Sequence, residues 1–123
     1  MPFASAAPAF LATLLVGSED YEILNYLLIN ARGHRAAKTW GQIETHCAGL
    51  GIVVDQRRFQ QGLLAQSRDG DVFIGSWHGG YFAIDNRADA VVMADFYQTR
   101  IARETQHLDH LKNLVTRSGW LPI

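Results

Sequence analysis

The chain has 123 residues, 48% hydrophobic and 19% charged, which excludes a disordered or fibrous protein and leaves room for one domain with its own core. Eleven Lys and Arg face twelve Asp and Glu, a formal net charge of −1, so a globally basic nucleic-acid protein is excluded and only a local field could serve that purpose. The single cysteine, Cys47, excludes an internal disulfide and fits a reducing setting.

Residues 1–17 read as an N-terminal arm. Pro2, Pro8 and several alanines offer little to hold residues 1–9 in place, so the arm is either flexible or docked. Residues 10–16 are apolar and want cover, from the chain's own core or from a partner subunit. This run is too short to cross a bilayer, and no basic residue precedes it as in a signal peptide. The expectation is a cytoplasmic protein with no membrane contact.

Ser18 opens the first convincing helix, since Glu19, Asp20 and Glu22 suit the positive end of a helix dipole. Ile23, Leu24, Leu27 and Leu28 follow at helical spacing, and Asn30 to Gly33 ends the run. A polar connection reaches Thr39, which with Gln42 has the spacing of a capping box for a short second helix burying Trp40, Ile43 and Cys47. Residues 48–54 form a turn. Asp55 then caps a third helix expected to run to about Gln66, with Phe59 and Leu63 on its inner face and Leu64 beside them. Gly70 stops it. Two β-prone runs, 72–74 and 81–84, enclose the hairpin tip Gly75-Ser76-Trp77-His78-Gly79-Gly80. Asp85 or Asn86 caps a long last helix reaching about Thr116.

The middle of the chain is locally basic: from Ala31 to Gly70 there are six Lys or Arg against three acids. At about 100° per residue, Arg57, Gln61 and Arg68 fall opposite Phe59 and Leu63, with Arg58 on the flank and Gln60 at the edge. Arginine and glutamine suit base edges and phosphates; the plainer alternative is a solvated helix face. Lys38 and Thr39, at the start of the second helix, and Ser76 and His78, in the hairpin tip, suit phosphate contact. Trp77 leans toward the core.

The order helix, helix, helix, hairpin resembles a winged helix-turn-helix of the biotin-repressor type, and more closely its phage and prophage versions. The likeness rests on Leu50-Gly51-Ile52, Asp55-x-Arg57-x-Phe59, Leu63-Leu64, the Gly70 break, Ile74-Gly75-Ser76 and Gly80-Tyr81-Phe82-Ala83-Ile84, and it covers residues 18–85. It implies a mainly α fold with a small β-hairpin (α+β), a recognition helix at about 55–66 and a wing at 71–84. It also implies a non-enzymatic protein that binds double-stranded DNA, as a transcriptional regulator or a phage-type replication factor. A winged-helix adaptor that binds protein instead is the alternative, favoured by the net charge and by Leu64 near the groove face.

Residues 86–123 form the long helix and tail. Tyr97, Ile101, Leu108, Leu111 and Val115 recur at spacings of three and four, broken by Glu104, and predict a homodimerisation element or a docking face for a protein partner. No cofactor or metal is expected. His107 and His110 lack further ligands at workable spacing, Cys47 lacks the setting of a nucleophile, and the glycines of the hairpin lack a phosphate-loop ending.

Overall fold

The structure, a computed structural model, describes residues 3–71 and 73–123. It is mostly helical with one small antiparallel sheet and a long last helix, an α+β fold. The chain forms two compact units, Met1–Val92 and Met93–Ile123. No helix among the described residues is long and apolar enough to cross a membrane.

The first unit begins with helix α1 (Phe3–Leu11), in the segment that the sequence reads as an arm, flexible or docked. Ala6 and Ala7 are buried, and their small side chains allow α1 to lie close to helix α2 (Glu19–Asn30). The Phe10 ring packs on Phe73 at 4.8 Å, so this apolar residue finds cover within its own domain, while Leu15 and Val16 stay exposed. Helix α2 starts as its sequence requires: the Ser18 hydroxyl accepts from the Tyr21 N–H, and Ile23, Leu24 and Leu27 are buried.

Strand β1 (Lys38–Thr39) lies where the sequence reads as the end of a polar connection and the N-cap of the next helix, with no strand signal. It joins β2 (Ile74–Trp77) and β3 (Gly80–Ala83) in the order β1-β3-β2, so the expected hairpin becomes a three-stranded sheet. Lys38 pairs with Tyr81, and Ser76 pairs with Tyr81 from the other side. Directly paired residues point to one face, so Lys38, Tyr81 and Ser76 form a row across the sheet. The hairpin tip is shorter than expected. His78 (φ 49°) and Gly79 (φ 78°) alone make the turn, the two positive φ values of a tight hairpin, and Gly75, Ser76, Trp77 and Gly80 belong to the strands. At Gly75 a Cβ would stand 2.3 Å from the Phe82 ring, so only glycine fits.

Helix α3 (Trp40–Gly49) opens with the Thr39 and Gln42 capping box and buries Ile43 and Cys47. The single helix expected over 55–66 is divided. Helix α4 (Gln56–Gln61) ends at Gly62, and α5 (Leu63–Asp69) starts anew. Gly62 has φ −105° and ψ −95°, outside the helical region. A Cβ there would lie 2.8 Å from the Arg58 carbonyl oxygen, which only glycine avoids. The break turns both Leu63 and Leu64 inward, and Leu64, expected near the outer face, is 2% exposed. Ser67 follows them into the core, where its hydroxyl accepts from the Phe73 and Ile74 N–H groups and satisfies the start of β2.

Helix α6 (Arg87–Arg117) is capped by Asn86, whose side chain accepts from the Asp89 N–H at 3.1 Å. In the second unit Ile101, Leu108, Leu111 and Leu114 are exposed along α6. Val115, expected on the same open stripe, is 9% exposed in the single chain. Its carbonyl accepts from the Trp120 N–H as the chain turns at Gly119 (φ 76°).

Candidate nucleic-acid interface

Helix α4 meets the sheet through rings. Phe59 stands edge-on to Tyr81 at 4.8 Å and lies against Trp40 at 5.4 Å, a packing that fixes the roll of α4 about its axis. With that roll set, Gln56 and Gln60 both donate from their Nε2 atoms to the Tyr81 hydroxyl at 3.2 Å. Tyr81 is the centre of the sheet row, so Lys38 of β1, Ser76 of β2 and the two glutamines of α4 gather around one ring. Gln60 was expected at the edge of the recognition face. Gln56 and Tyr81 were not expected there, and the only sequence signals for them were a position next to the Asp55 cap and a strand aromatic.

Arg57 is exposed, and among the described residues none pairs with it. Arg58 turns the other way. Its Nη2 lies 3.4 Å from Glu19 Oε2, while Glu19 Oε1 accepts from the Asp55 N–H at 3.0 Å. One carboxylate of α2 therefore holds the start of α4 and offsets the charge of Arg58. Gln61 lines the same shallow depression as Arg58, Ser18, Glu19 and Asp20. Arg58 and Gln61 thus face the acidic end of α2, apart from the Tyr81 cluster. Burial, and then the neighbouring Glu19, push the Asp20 carboxyl above the ordinary range.

The remaining expected contacts are spread about. Thr39 is exposed, but its hydroxyl accepts from the Gln42 N–H at 3.2 Å and its N–H donates to Gln42 Oε1 at 2.9 Å, so its polar groups serve the cap. Arg68 is exposed in the last turn of α5, beyond the Gly62 break and so on a different helix from Arg57. His78 is exposed at the hairpin tip with its ring 4.0 Å from Trp77. Trp77 is half-buried and meets the His34 ring edge-on at 5.0 Å.

No family model, curated protein or solved structure matches this chain.

Behind the hairpin lies a buried carboxylate. Asp89 is 1% exposed. Its Oδ1 accepts from the His34 N–H at 2.9 Å and from His34 Nδ1 at 2.6 Å, and its Oδ2 accepts from the Asp85 and Asn86 N–H groups at 2.9 and 3.3 Å. Burial alone would push this carboxyl up, but the hydrogen bonds from His34, Asp85 and Asn86 outweigh it and hold Asp89 below the ordinary carboxylate range. Only the Asn86-to-Asp89 cap spacing hinted at this residue. The group is a fastening between the segment after α2 and the start of α6, and it supports Trp77 through His34.

Cys47 is fully buried, and burial followed by the Glu22 and Glu19 carboxylates pushes its thiol up, so it remains protonated near neutral pH. Among the described residues no group of three or more His, Cys, Asp or Glu could hold a metal ion.

Proposed function

We propose that residues 18–85 are a winged helix-turn-helix that binds duplex DNA without catalysis or cofactor, in transcriptional regulation or phage-type replication control. One observation carries the reading: the Lys38–Tyr81–Ser76 row of the sheet and the Gln56 and Gln60 face of α4 share the Tyr81 hydroxyl. A helix and a hairpin joined in this way can enter a groove and touch its flanking backbone together. The order α2, β1, α3, α4 with α5, then β2 and β3 agrees with that architecture. In this reading Arg57, Gln60 and Gln56 reach base edges, and Lys38, Ser76 and His78 meet phosphates. Arg58 and Gln61 contribute less than their sequence positions imply, because they face Glu19 and Asp20.

The test is fluorescence anisotropy of a labelled random-sequence duplex at two low salt concentrations. Micromolar or tighter binding that weakens steeply with salt supports DNA binding, since phosphate neutralisation releases counterions. No binding at the lower salt removes it.

A protein-binding adaptor on the same fold is the second reading. It is favoured by the pairing of Arg58 with Glu19 and by Leu50 and Val53, both exposed in the turn before α4. Leu64 no longer supports it, being buried.

A further inference from the structure

The second unit carries a shallow groove along α6, lined by Tyr97, Arg100, Ile101, Glu104, Thr105 and Leu108. Tyr97, Ile101, Glu104 and Leu108 follow the alternating spacing of four and three that makes a seam between two helices. Ile101 is 65% exposed and Leu108 48%, so the seam is uncovered in the single chain. Among the described residues, neither Arg100 nor Glu104 takes part in an ion pair.

The lining has a symmetry of its own. About a midpoint between Ala102 and Arg103, Tyr97 lies as far to one side as Leu108 to the other, Arg100 as far as Thr105, and Ile101 as far as Glu104. A second copy running the opposite way therefore sets Tyr97 against Leu108 and Ile101 against Glu104 along the seam, as a two-fold, self-complementary contact requires. The direction follows from charge. In a parallel pair, Glu104 would meet Glu104 inside the seam, two like charges at close range. In an antiparallel pair, Glu104 of each copy meets Ile101 of the other and lies beside the other's Arg100, twice over by symmetry. Tyr97 then covers Leu108.

We propose that α6 pairs with a second copy of this chain in antiparallel register, centred between Ala102 and Arg103, with Arg100 and Glu104 as the residues that select direction. This goes beyond DNA binding and does not depend on it.

The test uses the full-length chain. Sedimentation equilibrium is expected to give a dimer, and a monomer at high micromolar concentration overturns the proposal. Under mild oxidation, an equimolar mixture of Tyr97→Cys and Leu108→Cys chains is expected to form the mixed disulfide. Leu108→Cys alone is expected to form at least tenfold less, and wild type, with Cys47 buried, serves as the blank. Equal or greater cross-linking of Leu108→Cys alone means a parallel pair and overturns the proposal. Charge reversal gives an independent readout: Arg100→Glu and Glu104→Arg each weaken self-association at least tenfold, and mixing the two restores a heterodimer. Unchanged self-association in both single variants removes Arg100 and Glu104 from the interface. All these sites lie on exposed or half-exposed positions of α6, so circular dichroism of each variant is expected to match wild type.

Discussion

Asp89 grips His34 twice, accepting from its backbone N–H at 2.9 Å and from its ring Nδ1 at 2.6 Å through the same oxygen, Oδ1. The two residues are 55 positions apart, and His34 in turn carries the Trp77 indole on its ring. The hairpin is thus supported from behind by a residue of the last helix.

Replacing Asp89 with Ala leaves four part-buried donors without this acceptor: the His34 N–H and ring Nδ1 and the Asp85 and Asn86 N–H groups. We expect a loss of roughly 2–4 kcal/mol in unfolding free energy, measured by urea denaturation near neutral pH. A loss below about 1 kcal/mol would mean that water or a neighbour takes over the donors.

The same carboxyl makes stability depend on pH. Its folded-state pKa lies below the unfolded value, so its contribution is complete above the ordinary carboxylate range and is lost as pH falls through the lowered folded value. Asp20 is shifted upward and acts in the opposite sense. The urea midpoint of wild type minus that of Asp89→Asn is therefore expected to be steady near neutral pH and to shrink in acid. A difference that does not change with pH would detach Asp89 from acid sensitivity.

Gly62→Ala sets a Cβ against the Arg58 carbonyl and imposes a non-helical φ and ψ on alanine. The expected cost is about 1–3 kcal/mol, read from the thermal midpoint. An unchanged or raised midpoint would mean that α4 and α5 can merge into one straight helix.

Tyr81→Phe removes the oxygen shared by Gln56 and Gln60 while keeping the ring on Phe59. Stability should fall by no more than about 1 kcal/mol. If the proposed interface is correct, duplex affinity falls at least fivefold, because the carboxamides lose their orientation. Unaltered affinity in anisotropy titrations would exclude the Tyr81 cluster from binding.

Arg57 and Arg58 should separate in the same assay. Arg57→Ala is expected to weaken duplex binding at least tenfold, and Arg58→Ala by less than threefold because Glu19 already offsets its charge. Glu19→Gln frees Arg58 and should tighten binding and steepen its salt dependence. Equal effects of the two arginine variants would remove the ion pair's influence.

Local chemistry was legible in the residues themselves. The caps at Ser18, Thr39 and Asp55 and the buried stripe of Ile23, Leu24 and Leu27 could be read because each depends on residues three or four positions apart. The positive-φ turn of the hairpin was foreshadowed by its glycines, although its length was not. Arg57, Gln60 and Lys38 of the candidate site were legible as polar contact positions, whereas Gln56 was not singled out.

Tertiary packing alone decided what those positions do. The residues Lys38 and Thr39 become a strand only because β3 offers them unpaired backbone groups. Gly62 permits a break, but the burial of Leu63, Leu64 and Ser67 selects it over a straight helix. Arg57 and Arg58 are neighbours of the same type, and the carboxylate of Glu19, from a different helix, makes them unequal. Spacing along the chain determines which residues share a face of one element. The charge and hydrogen-bond partner that each face meets comes from distant segments, and no local pattern encodes it.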